Sequence, residues 1–316
     1  MRPETEKLAS VLLSGGTNRA RLLKNAPMRE YTSFRIGGPA DLLLRTADEG
    51  EVKRALSAAK ECSVPVTVIG NGSNLLVRDG GIRGLVLRLS GECAGIRVIT
   101  EEPEAVCLSV PAGCSLSALA QETCRRGLAG LAPLSGIPGT LGGGTVMNAG
   151  AYGGELSQVV TAVRCIRPED GTPVLYEKDA LGFGYRRSAM AKDGVLVTRV
   201  SMRLPRGNPE DIRREMADLA LRRREKQPLE FPSAGSAFKR PPGQFAAKLI
   251  DEAGLRGFSI GGAAVSEKHA GFIINRGGAI AADVLSLMEE VRRRVFDRTG
   301  VLLEPEIRIL GEDSIA

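Results

Sequence analysis

Apolar positions recur along the chain with two periods. Between residues 48 and 62, Val52, Ala55, Leu56 and Ala59 fall at i, i+3, i+4 and i+7, the spacing of one helix face. The β-branched run Pro65-Val66-Thr67-Val68-Ile69 follows at once and predicts a strand. Leu85, Leu87 and Leu89 alternate with other residues, as do Val106, Leu108 and Val110, the period of a strand. Ser115 stands where a helix would be capped, with Leu116, Leu119 and Ala120 on one face and Gly127 beyond its end. Strands are expected again over 159–166, 173–176 and 195–204. Asn208-Pro209 then opens a helix, a capping side chain followed by proline at N1, with Ile212, Met216 and Leu219 on its apolar face down to Lys226. Residues 244–253 read as a further helix closed by Gly254. Val284, Met288, Val291 and Val295 set a long one around 282–299, closed by Gly300. The alternation is that of an α/β or α+β chain with a boundary near residue 208 and a smaller second domain beyond it. No internal repeat is visible.

Composition narrows the chemistry. A chain of 316 residues corresponds to two domains at about 150 residues each. With 43% hydrophobic and 25% charged residues it is too apolar to be mostly disordered. The single histidine, His269, excludes a multi-histidine metal site and leaves one possible base for Ser-His-Asp catalysis, so no metal is expected. The formal charge of +6 favours anionic ligands mildly. Its densest runs, Arg222-Arg223-Arg224 and Arg292-Arg293-Arg294, lie in amphipathic helical stretches and read as solvated faces, so no nucleic-acid partner is expected. The six cysteines (Cys62, Cys93, Cys107, Cys114, Cys124, Cys165) include no C-x-x-C pair and are read as reduced, in a cytoplasmic protein. Glu4 and Glu6, with no early apolar run, argue against a secretory signal.

Two glycine-rich stretches stand out. Ile69-Gly70-Asn71-Gly72-Ser73-Asn74-Leu75-Leu76-Val77 lies between apolar runs, where small residues with exposed N–H groups can cradle phosphate; a tight turn is the competing reading. It is neither a Rossmann fingerprint, since Leu75 occupies the third glycine position, nor a Walker A loop, since the chain has no Gly-Lys pair. Gly127 to Gly154 is 28 residues without a charge, with ten glycines and two prolines, a composition that breaks helices and suits a ligand-lining loop rather than a membrane span. Within it, residues 133–144 and 147–153 are too long for a plain turn and suit a planar, mostly neutral ligand.

Residues 31–43 (Tyr-Thr-Ser-Phe-Arg-Ile-Gly-Gly-Pro-Ala-Asp-Leu-Leu), the Gly-Asn-Gly-Ser-Asn loop, Ser135-Gly136-Ile137-Pro138-Gly139-Thr140, Asn148-Ala149-Gly150-Ala151-Tyr152-Gly153 and three later motifs resemble, in order, the UDP-N-acetylenolpyruvoylglucosamine reductase family over about residues 30–311. Only 50 residues separate Arg186 from Ser236, which matches the variant without the extra substrate-covering tyrosine loop. The resemblance implies an α+β protein: a vanillyl-alcohol-oxidase/PCMH-type FAD-binding domain of two α/β subdomains over residues 1–207, with a helical extension at about 1–30, and a smaller α+β substrate-binding domain over 208–316 whose C-terminal strand returns to the active site. It implies non-covalent FAD, NADPH as reductant, and reduction of UDP-N-acetylglucosamine enolpyruvate to UDP-N-acetylmuramate in peptidoglycan precursor synthesis, by a monomer with no membrane insertion. The flavin-binding positions it implies are Gly70, Asn71, Gly72, Ser73, Asn74, Leu75, Ser135, Gly136, Ile137, Pro138, Gly139, Thr140, Gly142, Gly143, Asn148, Ala149, Gly150 and Ala151.

Reducing an enol ether that bears a carboxylate needs a hydride donor, a cation for the developing enolate charge and a proton donor on the neighbouring carbon. In Phe183-Gly184-Tyr185-Arg186-Arg187-Ser188, the resemblance makes Arg186 the cation, with Tyr185 beside the substrate; in isolation the motif would read as a surface arginine. In Pro232-Ser233-Ala234-Gly235-Ser236-Ala237-Phe238-Lys239 it makes Ser236 the proton donor, a role that requires preorganised donors around a weak acid. In Glu304-Pro305-Glu306-Ile307-Arg308-Ile309 it places Glu306 in the active site; in an extended strand Glu304 would share its face, and spacing does not separate the two. The resemblance makes Lys239 and Arg240 substrate contacts, Arg240 standing where the family usually has asparagine near the substrate diphosphate. Residues 262–270 also match, and their His269 reads as structural, which disfavours a histidyl-linked flavin. The rival readings are an oxidase of the same flavin fold and a non-catalytic sugar-nucleotide-binding module.

Overall fold

The computed structural model describes residues 2–91 and 93–314. It divides into two compact units: unit 1 is Met1–Leu23, Leu42–Asn71 and Gly84–Arg223, and unit 2 is Lys24–Asp41, Gly72–Arg83 and Arg224–Ala316. Two stretches of the N-terminal part, 24–41 and 72–83, thus group with the C-terminal part.

In unit 1, Asp48 Oδ1 accepts the Glu51 amide at 2.6 Å and starts the helix Glu49–Glu61. Val52, Ala55, Leu56 and Ala59 are all buried, the face their spacing predicts. The strand Val66–Ile69 that follows runs parallel to Ile82–Leu89. On its other side in the same sheet Ile82–Leu89 neighbours the strand Pro39–Thr46, of which Leu42–Thr46 lie in unit 1. Leu42, Leu44, Leu85 and Leu87 pack with Leu8 and Leu12 of the helix Pro3–Ser14 into one core. A second sheet takes the order Pro173–Glu177, Val160–Ile166, Leu196–Pro205, Ala105–Pro111, Arg97–Glu101, antiparallel throughout. Leu108 and Val110 meet Leu116, Leu119 and Ala120 in a separate core, and Ser115 Oγ caps the helix Leu116–Arg125 through the Ala118 amide at 3.2 Å. Two sheets with two cores are what two α/β subdomains require.

Unit 2 holds an antiparallel sheet in the order Ser233–Ser236, Phe272–Asn275, Ala263–Val265, Ser259–Ile260. Val284, Met288, Val291 and Val295 of the helix Ala281–Thr299 are buried in its core with Phe34, Ile36 and Leu76, and Gly300, at φ +71°, closes that helix as expected. The C-terminal strand Arg308–Leu310 pairs in parallel with Leu75–Val77.

Four expectations change. The helical extension over 1–30 is helical over Pro3–Ser14 and then yields the strand Leu22–Pro27, whose Leu22 and Ala26 are buried. Within the uncharged glycine-rich stretch, Leu141–Val146 is a short helix because Thr140 Oγ1 caps it through the Gly143 amide at 3.3 Å. The strand expected through Glu304 and Glu306 is regular only from Arg308. Finally, Cys93 and Cys114 are not reduced but joined as a disulfide, their Cα atoms 4.9 Å apart. Twenty-one positions separate them, so a search for short Cys-x-x-Cys spacing does not find them. The remaining cysteines are free, and burial pushes the Cys165 thiol up to about 12.

Candidate active site

In unit 1 the start of the first glycine-rich stretch, Gly70 and Asn71, meets the second, far apart in sequence. Gly70 follows the strand Val66–Ile69, and a Cβ at that position would collide with the Thr140 side chain, so only glycine allows the approach. Beside it Asn71 Nδ2 donates to the Pro138 carbonyl at 3.2 Å. The second stretch is itself held along Ala112–Leu116: the Leu116 amide donates to Gly139 O at 3.0 Å, Leu141 N to Cys114 O at 2.7 Å, and Gly142 N to Ala112 O at 2.8 Å. Arg223 donates to the Gly136 carbonyl, and its guanidinium lies 5.7 Å from the Tyr152 ring centroid. Two glycine-rich segments without a charge of their own are thus held side by side, and their small residues and backbone N–H groups suit the chemistry of the neutral ring and phosphates of the FAD that the sequence implies.

Arg186 sits at the tip of a tight turn in the same unit. Gly184 and Arg187 exchange backbone bonds of 3.1 and 3.2 Å, leaving Tyr185 and Arg186 as the central pair, and Arg186 adopts φ +55°. Its guanidinium carbon is 5.3 Å from the Tyr185 ring centroid. The turn is anchored to the second glycine-rich stretch. Asn148 Nδ2 donates to Gly184 O at 3.2 Å while Asn148 Oδ1 accepts the Ser157 amide at 3.0 Å, and Ser188 Oγ donates to Val146 O at 2.7 Å. Asn148 is buried, so its side chain serves this anchoring.

Unit 2 brings the segment that carries Ser236 beside the segment that carries Glu306. The strand Ser233–Ser236 ends on Ser236, opposite Phe272, after Gly235 at φ +79°. The next residue, Ala237, accepts the Glu306 amide at 2.9 Å and donates to Gly271 O at 2.8 Å; Phe238 bridges to Pro305, and Lys239 N donates to Glu304 O at 2.8 Å. Lys239 also forms an ion pair with Glu304. The carboxylates that spacing leaves equivalent therefore differ: Glu304 is exposed and engaged by Lys239, whereas Glu306 is half-buried beside the residue that follows Ser236. Arg240 stacks its guanidinium 4.7 Å from the Phe245 ring centroid. Gly72 to Leu75 belong to this unit, with Gly72 at φ +64° pressed against the Tyr31 carbonyl.

Several supporting residues carry no role in the sequence reading. Ser33 Oγ donates to Ser233 O at 2.7 Å, and Asn275 Nδ2 donates to Phe34 O at 3.3 Å, so the motif around residues 31–36 braces the strand that carries Ser236. Its residue types were visible in the sequence; its partners were not. His269 has a structural setting: its Nδ1 accepts the Gly271 amide at 3.2 Å, its ring meets Phe272 edge-on at 5.0 Å, and burial lowers its pKa below 6.5. Cavities of about 600 Å3 (around Arg21, Arg45 and Arg88, in unit 1) and 550 Å3 (around Phe258 and Glu289, in unit 2) are lined by none of the candidate residues. Among the described residues, no group of three or more His, Cys, Asp or Glu could hold a metal, and no helix is long and apolar enough to cross a membrane.

Comparison with known proteins gives concordant matches. Residues 40–175 match the FAD binding domain family, and residues 227–310 match the family described as UDP-N-acetylenolpyruvoylglucosamine reductase, C-terminal domain. The chain is 46% identical over 297 residues to a UDP-N-acetylenolpyruvoylglucosamine reductase of Clostridium botulinum (strain Hall), covering 93% of this chain and 94% of that one. It is 46% identical over 287 residues to that of Clostridioides difficile (strain 630), covering 91% and 92%. The crystal structure of UDP-N-acetylenolpyruvylglucosamine reductase from Thermus caldophilus superposes with a TM-score of 0.75 at 40% identity, covering 92% of this chain and 98% of that one.

Proposed function

The chain belongs to the UDP-N-acetylenolpyruvoylglucosamine reductase family, and on that premise we propose that it reduces UDP-N-acetylglucosamine enolpyruvate to UDP-N-acetylmuramate with NADPH and non-covalent FAD, in peptidoglycan precursor synthesis. The observation that carries the reading is the Ala237–Glu306 backbone bond, which puts the segment bearing a hydroxyl beside the segment bearing a carboxylate.

FAD would be held by the backbone of residues 70–75, by Ser135, Gly136, Ile137, Pro138, Gly139 and Thr140, and by Gly142, Gly143 and Asn148 to Ala151. When bound, it supplies the chemistry of taking a hydride from NADPH and giving it to the enolpyruvyl double bond. Hydride addition to one carbon leaves negative charge on the other carbon and its carboxylate. Arg186, carried at the turn tip, binds that carboxylate and stabilises the charge. Ser236 delivers its hydroxyl proton to the carbon next to the carboxylate, so one hydride and one proton saturate the bond. Glu306 assists at the same carbon. Tyr185, Lys239 and Arg240 contact the sugar nucleotide, the two cations near its diphosphate. The 208–316 part is the substrate-binding domain, and the enzyme works as a cytoplasmic monomer.

The holoprotein should be yellow, bleach with NADPH under anaerobic conditions, and regain its colour on adding the enolpyruvyl sugar nucleotide. Ser236→Ala should bleach normally and recover about 10²–10⁴-fold more slowly. Failure to bleach would overturn the reading. Rapid recovery with dioxygen but none with the sugar nucleotide would favour the oxidase alternative.

A further inference from the structure

Asn74 closes the Gly-Asn-Gly-Ser-Asn loop, yet its amide is spent on another segment of unit 2. Its Nδ2 donates to the Glu306 carbonyl at 3.1 Å, across 232 positions of sequence, and its own carbonyl accepts the Arg308 amide at 3.0 Å. Glu306 lies in no regular strand. Its peptide groups are fixed from both sides, the N–H by Ala237 and the C=O by Asn74. The neighbouring turns cannot do this alone, because the bridge at Pro305 and the strand at Arg308 leave the Glu306–Ile307 peptide plane between them. A half-buried carbonyl that loses its donor pays the cost of an unmade hydrogen bond, and rotating the plane to find another swings the attached side chain.

We propose that Asn74 is a positioning residue for the Glu306 carboxylate: its amide locks the peptide from which that side chain projects. The proposal rests on the reading of Glu306 given above. It divides the work of the loop, whose backbone lines the cofactor cradle while its last side chain sets a group used later in the reaction. Misplacing a reacting group by about 1 Å costs on the order of 10²-fold, which sets the size of the effect.

The test uses the holoenzyme carrying Asn74→Ala, or Asn74→Asp, which keeps the shape but removes the amide donor, each alone and combined with Glu306→Gln. Expected for both Asn74 variants are wild-type FAD content, recovery of colour with the sugar nucleotide slowed about 10–100-fold with KM nearly unchanged, and faster hydrogen exchange at the Glu306 and Arg308 amides. In the Glu306→Gln background the Asn74 change should add no more than about threefold, since it acts through the group already removed. Multiplying losses in the double variant, or losses that track missing flavin, would overturn the proposal. A slow Glu306→Gln enzyme beside an undisturbed Asn74→Ala enzyme would overturn it alone, whereas a Glu306→Gln enzyme at wild-type rate would overturn the reading of Glu306 itself. Asn74→Asp decides the matter if the alanine variant does not accumulate.

Discussion

Arg186 adopts a left-handed backbone that costs a non-glycine residue about 1–2 kcal/mol. The cost is borne by bonds from Asn148 and Ser188, so the turn that displays the guanidinium is built rather than floppy. The motif around Arg186 was legible in the sequence; its conformation was not, since position 186 does not itself hold the glycine that such a backbone favours. The same contrast separates Glu304 from Glu306, equivalent by spacing and distinguished by Lys239. His269 offers a test with a sign. Burial lowers its folded pKa, so the unfolded chain binds more protons just below pH 6.5, and the stability contributed by the neutral ring is full above that pH and lost on acidification through the folded value. Thermal midpoints measured from pH 8 to 5 should therefore fall more steeply for the wild type than for His269→Asn, whose side-chain oxygen still accepts the Gly271 amide. Parallel curves would contradict this.

Most elements with strong periodicity form where the pattern places them, because a helix face, a cap and a stop are decided within a few residues: Asp48, Ser115 and Gly300 each act at their own helix end. The helix Ala281–Thr299 shows the limit of that rule. Its first amides, Ala281 and Ala282, donate at 2.8 and 3.0 Å to the two carboxylate oxygens of Asp79, which lies about 200 positions earlier and cannot be recognised as a cap from sequence. Asp79→Ala should lower stability by about 1–2 kcal/mol in urea unfolding, with Asp79→Asn intermediate because it keeps one acceptor and loses the charge. An unchanged midpoint for the alanine variant would show that water replaces the carboxylate at no cost. The glycine-rich stretch differs from expectation for a related reason, since a single capping threonine turns six of its residues into a helix.

At the scale of the whole molecule, the chain passes several times between its two units, and the Gly70–Asn74 loop is itself divided after Asn71. FAD held by the Gly70–Thr140 cradle should stabilise the native state by mass action, by about 2.7 kcal/mol at a free concentration one hundred times Kd. Deflavinated protein should melt lower and regain its midpoint as FAD is added; a midpoint indifferent to FAD would contradict the assignment of the cradle. By itself the sequence determined a mixed α and β chain, the helices and strands of clear period, and the short motifs that carry a hydroxyl, a guanidinium and a carboxylate, because each depends on neighbours along the chain, while the α+β class followed from the family resemblance those motifs carry. Only the tertiary structure decided that Gly70 meets Thr140, that Ser33 braces the strand of Ser236, that Cys93 joins Cys114 and that Asn74 grips Glu306. Those pairings depend on how distant segments close on one another, and no local pattern of side chains encodes which donor will find which acceptor.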